Sequence, residues 1–435
     1  FPMNMPTLLT RTARSLLAVL SLITLLAGPA VAQLNVEVVG AGMQRVPVAV
    51  PNFGGDDTLG REIAAVVRND LTSTGLFNII NTDSLVAEEN SAVDFAAWRS
   101  RGADALATAT ASRPGSQIEV KVRVADIIKR GSLGNTVVTV PGNSARLAGH
   151  KVADFIYQKL TGNPGYFSSR IAYVLKQGNG TSAQYQLIVA DADGQNPVAI
   201  LKDKQPIISP AWSPDGTKIA YVSFGKSKPI IYEQTLKTGH QRPVASFRGS
   251  NSAPAYSPDG SQMVVALSRE GGTQLYSINL TTLQSTRITN TSGIDTEPSF
   301  SPDGQWIYFT SDRGGSPQIY KMPAGGGSAQ RVSFDGNYNV TARPSPDGRT
   351  LAFITRRDGG FRVATLDLAT RQVTVLTDSQ RDESPTFSPN GQMILYATIL
   401  GGRGVLAAVS AEGQIRQKLS AVNGDAREPA WGRNR

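Results

Sequence analysis

A four-residue turn, Ser-Pro-Asp-Gly, recurs at Ser213–Gly216, Ser257–Gly260, Ser301–Gly304 and Ser345–Gly348, and a variant, Ser-Pro-Asn-Gly, follows at Ser388–Gly391. The spacing is 43 or 44 residues. Proline presets φ at the first central position, aspartate follows with a side chain able to cap nearby amides, and glycine supplies the positive φ that closes the loop. A hairpin that needs glycine there rejects most substitutes, so identical turns mark identical hairpins. Each turn is preceded by a short Pro-x-aromatic strand, as in Pro210–Trp212, Pro254–Tyr256, Pro298–Phe300 and Pro385–Phe387. An apolar strand follows it, as in Lys218–Val222, Met263–Leu267, Trp306–Thr310, Leu351–Thr355 and Met393–Thr398, and then a third and a fourth. The unit at Arg343-Pro344 carries proline where the aromatic stands elsewhere, which costs packing without breaking the register. Four strands in about 44 residues make one blade of a β-propeller.

An open solenoid is the rival for a repeat of this length, and the incomplete units decide between them. Glu428-Pro429-Ala430-Trp431-Gly432 supplies a first strand alone. Ser169–Val174 matches Lys218–Val222, and Tyr185–Val189 and Val198–Leu201 continue it as third and fourth strands. Joining these pieces makes a sixth blade, closes the ring and removes the sheet edges an open array would leave.

Ahead of the repeats the pattern changes. Gly162-Asn163-Pro164-Gly165 ends a helix and opens a linker. Before it, strand-like stretches (Leu34–Val39, Val46–Val50, Leu76–Ile80, Ala103–Thr110, Gln117–Ala125) alternate with amphipathic helices over Leu59–Ser73 and Ala145–Leu160. The expected organisation is a leader over residues 1–32, a small α/β domain over 33–163 and a six-bladed all-β propeller over 164–435. The leader reading rests on Arg11 and Arg14, the apolar Leu16–Leu26 and the small-x-small site Ala30-Val31-Ala32 before Gln33. A membrane span needs about 18 apolar residues, and this run is shorter. Export places the mature protein in an oxidising compartment. The chain has no cysteine, so neither disulfides nor thiolate chemistry are available.

Net charge is +9, falling by two once Arg11 and Arg14 are removed, and the basic residues are dispersed. No nucleic-acid stripe results. The chain has two histidines, His150 in the second helix and His240 in a Gly-flanked turn, both read as structural or solvated. There is no G-x-S-x-G elbow. Asp191-Ala192-Asp193-Gly194 resembles the start of a calcium loop, but glycine comes too early and no glutamate closes it, so a turn between strands is expected. These residues imply no catalytic group, cofactor or metal. A docking surface follows from geometry instead. If the Pro-x-aromatic strand is innermost, the loops at 205–209, 249–253, 293–297, 338–342, 381–384 and 425–428 converge on one mouth of the channel.

The stretches Ser169–Val174 (SRIAYV), Val189–Pro197 (VADADGQNP), Ser209–Gly216 (SPAWSPDG), Thr310–Tyr320 (TSDRGGSPQIY), Glu383–Gly391 (ESPTFSPNG) and Arg427–Gly432 (REPAWG) carry a closer likeness. On them the chain resembles the TolB family of Gram-negative cell-envelope proteins, whose propellers have WD40-like repeats. The resemblance implies a monomeric, non-enzymatic periplasmic adaptor of the Tol–Pal system that supports outer-membrane integrity and invagination during division. It implies binding of the lipoprotein Pal at the channel mouth, through Ser250, Asn251, Ala253, Asp295, Thr296, Glu297, Thr341, Arg381, Asp382, Glu383 and Arg427. Ser250 stands where some relatives carry histidine. It also implies binding of TolA through the N-terminal strand, Gln33, Leu34, Asn35, Val36, Glu37, Val38 and Val39, within a segment running to Met43. That segment would be docked or released according to whether Pal is bound. Bacteriocins and other outer-membrane proteins are further implied partners. The alternative from another class is a small-ligand or hydrolase propeller using channel residues such as Asp295 or Glu383.

Overall fold

The computed structural model describes residues 34–40, 44–82, 84–421 and 423–435. The expected leader, Gln33 and residues 41–43 lie outside them. No helix among the described residues is long and apolar enough to cross a membrane.

Six antiparallel sheets form the blades, each of four strands, with a fifth strand added to one of them. Blade 1 runs from Ile207 to Ala245, blade 2 from Asn251 to Arg287, blade 3 from Asp295 to Arg331, blade 4 from Asn339 to Val375 and blade 5 from Glu383 to Ala421. Blade 6 joins the two expected pieces: the terminal strand Asp425–Asn434 pairs antiparallel with Ser169–Gln177, Trp431 standing opposite Ile171 and Ala430 opposite Ala172. The Trp431 indole donates to Ser169 Oγ (2.9 Å) and the Trp212 indole of blade 1 donates to the Ala430 carbonyl (3.0 Å), so the join is tied on both sides.

Serine proves as necessary to the repeated turn as its neighbours. Ser213 Oγ donates to Asp215 Oδ1 (2.6 Å) and accepts from the Lys218 amide (2.9 Å), while the Thr217 amide donates to Asp215 Oδ1 (3.0 Å). The same set recurs at Ser301 and Asp303. Gly216 has φ 71°, inside the left-handed region that glycine favours. The turns also pack on one another: a Cβ on Gly260, Gly304, Gly348 or Gly391 would lie 3.4 to 3.8 Å from the proline ring of the preceding turn. Arg433 closes this circle, donating to the Pro214 carbonyl (3.2 Å) where a sixth turn would stand. Blade 4 keeps the common register despite Pro344, pairing Val340 with Ile354 and Arg343 with Ala352.

The N-terminal part is a mixed seven-stranded sheet with helices α1 (Asp57–Ser73), α2 (Phe95–Ser100) and α3 (Ala145–Thr161). Asp56 caps α1 by accepting from the Leu59 amide (3.0 Å), and Gly162 ends α3 at φ 81°. Strand 117–126 alternates as expected, burying Ile118, Val120, Val122 and Val124. A strand that the periodicity left unmarked, Gly131–Pro141, pairs with it at the edge. Helices α1 and α3 cross closely, since a Cβ on Gly149 would lie 2.7 Å from Val66 Cβ.

Candidate functional site

Each innermost strand carries the same irregularity. Its register shifts across two skipped residues, at Ile208/Ala211, Ser252/Ala255, Thr296/Ser299, Val340/Arg343, Glu383/Thr386 and Arg427/Ala430. Within each bulge one non-glycine residue takes positive φ: Ser209, Ala253, Glu297, Thr341, Ser384 and Glu428, all between 52° and 57°. Such a conformation is rare for a side-chain-bearing residue, and bulges of this kind re-aim side chains. All six line a central channel of about 510 Å³.

Two of the six are long enough to bridge blades. Glu297 accepts from Thr341 Oγ1 (2.8 Å), the Thr341 amide (3.1 Å) and Thr310 Oγ1 (2.8 Å), fastening blade 3 to blade 4. Glu428 accepts from the Ser209 amide (3.0 Å), fastening blade 6 to blade 1. Removal from bulk water pushes the Glu428 carboxyl up to about 7, and the like charges of Glu383 and Glu297 add to this against the opposing pull of the Ser209 amide and Arg343. Burial likewise lowers the Arg343 guanidinium below its usual value, Glu297 and Glu428 opposing. The channel therefore holds an acidic lining around one arginine.

The mouth lies at the end of the innermost strands opposite the Ser-Pro-Asp-Gly turns. Arg381, Glu383 and Arg427 are exposed there, beside a hollow of about 460 Å³ that also touches Phe361 and Thr398. Ser250 and Thr296 are half-buried at the rim, and Ala253 lines the channel. Asn251, Asp295 and Asp382 stand differently. Asn251 is fully buried, donating to the carbonyls of Phe247 (2.9 Å) and Pro229 (3.1 Å). Asp295, also fully buried, accepts from Arg313 Nη2 (2.9 Å) and Thr291 Oγ1 (3.1 Å). Asp382 accepts from Thr377 Oγ1 and Ser379 Oγ, both at 2.5 Å. These three shape the loops that carry the mouth. Ser209, Ser384 and Glu428 fall in loops expected from sequence to converge on the mouth but were not assigned a contact, and Arg343 was noted only for the proline that follows it, although a spacing of 43 or 44 residues runs through the first three and through Ala253, Glu297 and Thr341.

The second feature is the first strand. Leu34–Gly40 adds antiparallel to Ile415–Ala421 as a fifth strand on blade 5, with Leu34 opposite Ala421, Val36 opposite Leu419 and Gly40 opposite Ile415. Leu34 is fully buried, while Glu37 and Val39 face solvent. A Cβ on Gly194 would lie 2.6 Å from Leu34 Cβ, so Leu34 rests directly on the turn at 191–194. Under the strand is a cavity of about 260 Å³, lined by Leu34, Val38, Asp70, Asp193, Gln417 and Trp431 among others.

Models of two families match the chain: the TolB amino-terminal domain over residues 34–133 and the TolB beta propeller domain over residues 157–435. The chain belongs to the TolB family. The Tol-Pal system protein TolB of Dechloromonas aromatica is 63% identical over 414 residues, covering 95% of this chain and 96% of that relative. The Nitrosomonas europaea TolB is 58% identical over 402 residues, covering 92% and 94%. The crystal structure of TolB from Acinetobacter baumannii superposes with a TM-score of 0.84 at 42% identity, covering 92% of this chain and all of that one. As a TolB-family protein the chain is a component of the Tol-Pal system of the cell envelope, with partners inside that system. The TolB architecture of a small N-terminal domain on a six-bladed propeller is the one described above.

Proposed function

We propose that this chain is a periplasmic, non-enzymatic adaptor that holds Pal at its channel mouth and offers its first strand to TolA, so that the outer membrane stays attached and invaginates with the dividing cell. On this reading residues 1–32 are a cleaved leader, 33–163 the domain that presents the strand and 164–435 the propeller. The observation that carries it is the docked first strand. A segment added to a sheet edge draws its affinity from main-chain hydrogen bonds, which another edge can supply equally well. The mouth is a separate surface, where Arg381, Glu383 and Arg427 are exposed. The Pal contacts we assign are Ser250, Ala253, Thr296, Glu297, Thr341, Arg381, Glu383 and Arg427, with Asn251, Asp295 and Asp382 supporting their loops.

Envelope extract passed over the intact chain and over one lacking residues 33–43 tests this. The intact chain is expected to retain Pal and TolA, and the shortened chain Pal alone. The double substitution R381E/R427E is expected to do the reverse. Retention of TolA by the shortened chain would contradict the assignment of the strand. The perturbed Glu428 carboxyl supports a second reading, a small ligand or a hydrolysis in the channel. That reading requires turnover or ligand binding that disappears in E428Q.

A further inference from the structure

Between the N-terminal domain and the propeller lies a buried ionic cluster that the adaptor reading does not use. His150 on α3 is fully buried, and both ring nitrogens face carboxylates: Nδ1 is 2.7 Å from Asp70 Oδ2 on α1, and Nε2 is 3.6 Å from Asp191 Oδ2 at the end of a blade 6 strand. A neutral imidazole donates from one nitrogen only and would turn a lone pair on the second carboxylate. Arg146 of α3 binds Asp193 (2.5 Å), and Arg435 binds Asp191 Oδ1 (2.7 Å). Asp154, on the same helix, completes the charges around the ring and accepts from the Phe167 amide (2.7 Å). Asp191 and Asp193 open and carry the turn whose Gly194 supports Leu34. The first strand in turn roofs the cavity that reaches Asp70 and Asp193.

We propose that His150 is a buried imidazolium, and that this charge is the clamp that holds the 191–194 turn as the seat of Leu34 and so keeps the first strand docked. Burial works against the charge, but Asp70, Asp191 and Asp193 outweigh it and raise the ring to about 10. A cation in place of the proton is the competing occupant, since Asp70, His150 and Asp193 stand close enough together to hold one. Both oxygens of Asp193 are already engaged, Oδ1 accepting from the Gln195 amide (3.0 Å) and Oδ2 from Arg146, and Asp70 Oδ2 faces the ring itself. A metal would have to displace a guanidinium. The clamp does not depend on which partner takes the strand.

With only two histidines in the chain, H240Q leaves a single ring for nitrogen NMR of the full-length protein. At pH 8 both ring nitrogens of His150 are expected to carry protons. One protonated nitrogen, or the shifts of a metal-bound ring, would overturn the proposal. H150Q and R435Q are each expected to speed amide exchange at residues 34–40 about tenfold, while strands 105–112 and 117–126 stay protected. R435Q carries this arm if H150Q does not fold. Unchanged exchange at 34–40 would show that the cluster does not hold the seat.

Discussion

Asn390 differs from the aspartates of the other four turns by one amide group, and that group donates to the Pro164 carbonyl of the linker (2.7 Å) while Oδ1 does the usual work of the turn. N390D would set a carboxylate against that carbonyl. It is expected to cost about 1–2 kcal/mol, read as a lower denaturant midpoint, and N390A, which also removes the Oδ1 acceptor of the turn, should cost at least as much. Gly194 is a second position where one atom decides. Its φ is 78° and a Cβ would strike Leu34. G194A is therefore expected to raise proteolytic cleavage near residues 34–40 and leave the circular dichroism unchanged. His150 sets a pH dependence. Because its folded pKa is raised from 6.5 to about 10, its contribution to stability is complete below about 6.5 and is lost as pH rises through 10. Asp70, pushed up to about 6 by burial against the pull of His150, titrates below that window. Thermal melts between pH 7 and 10 are expected to fall for the intact chain, and to fall less for H150Q.

At the scale of elements, the periodic features were legible and the close contacts were not. The α1 and α3 helices follow from apolar positions such as Ile63, Val67, Val152 and Ile156, all fully buried. The blades follow from the turns, because a left-handed glycine and a buried serine leave the hairpin no other shape. Strand 131–141 escaped notice because it is an edge strand with one buried residue, Val140, so its alternation is between half-exposed and exposed. The positive φ of Ser209, Ala253, Glu297, Thr341, Ser384 and Glu428 escaped for another reason. The bulge is imposed by the geometry of the innermost strands and by proline in five of the six units, not by any residue suited to it. Asn251, Asp295 and Asp382 look like surface residues in sequence, and only the folded loops show each engaged by its own neighbours. Deleting residues 34–40 leaves blade 5 with four strands, so the shortened chain is expected to fold, with a melting temperature lowered by a few degrees.

Over the whole molecule, closure joins segments far apart in sequence, Asn434 standing opposite Ser169. The terminal strand pairs with 169–177, Arg435 reaches Asp191, and the Trp431 amide donates to Thr386 Oγ1 of blade 5 (3.2 Å). Ending the chain after Arg427 would expose the edge of strand 169–177 and uncover the faces of blades 1 and 5 that pack on blade 6, and is expected to give aggregation in place of a cooperative melt. The strand on the rim of the closed ring is held by one edge and one seat. The central claim is that this strand detaches while the ring stays closed. Native-state amide exchange across a denaturant series tests it most directly. Residues 34–40 are expected to exchange through a local opening, almost independent of denaturant, well before strands 169–177 and 425–434. Exchange of all three together, with the denaturant dependence of global unfolding, would contradict it.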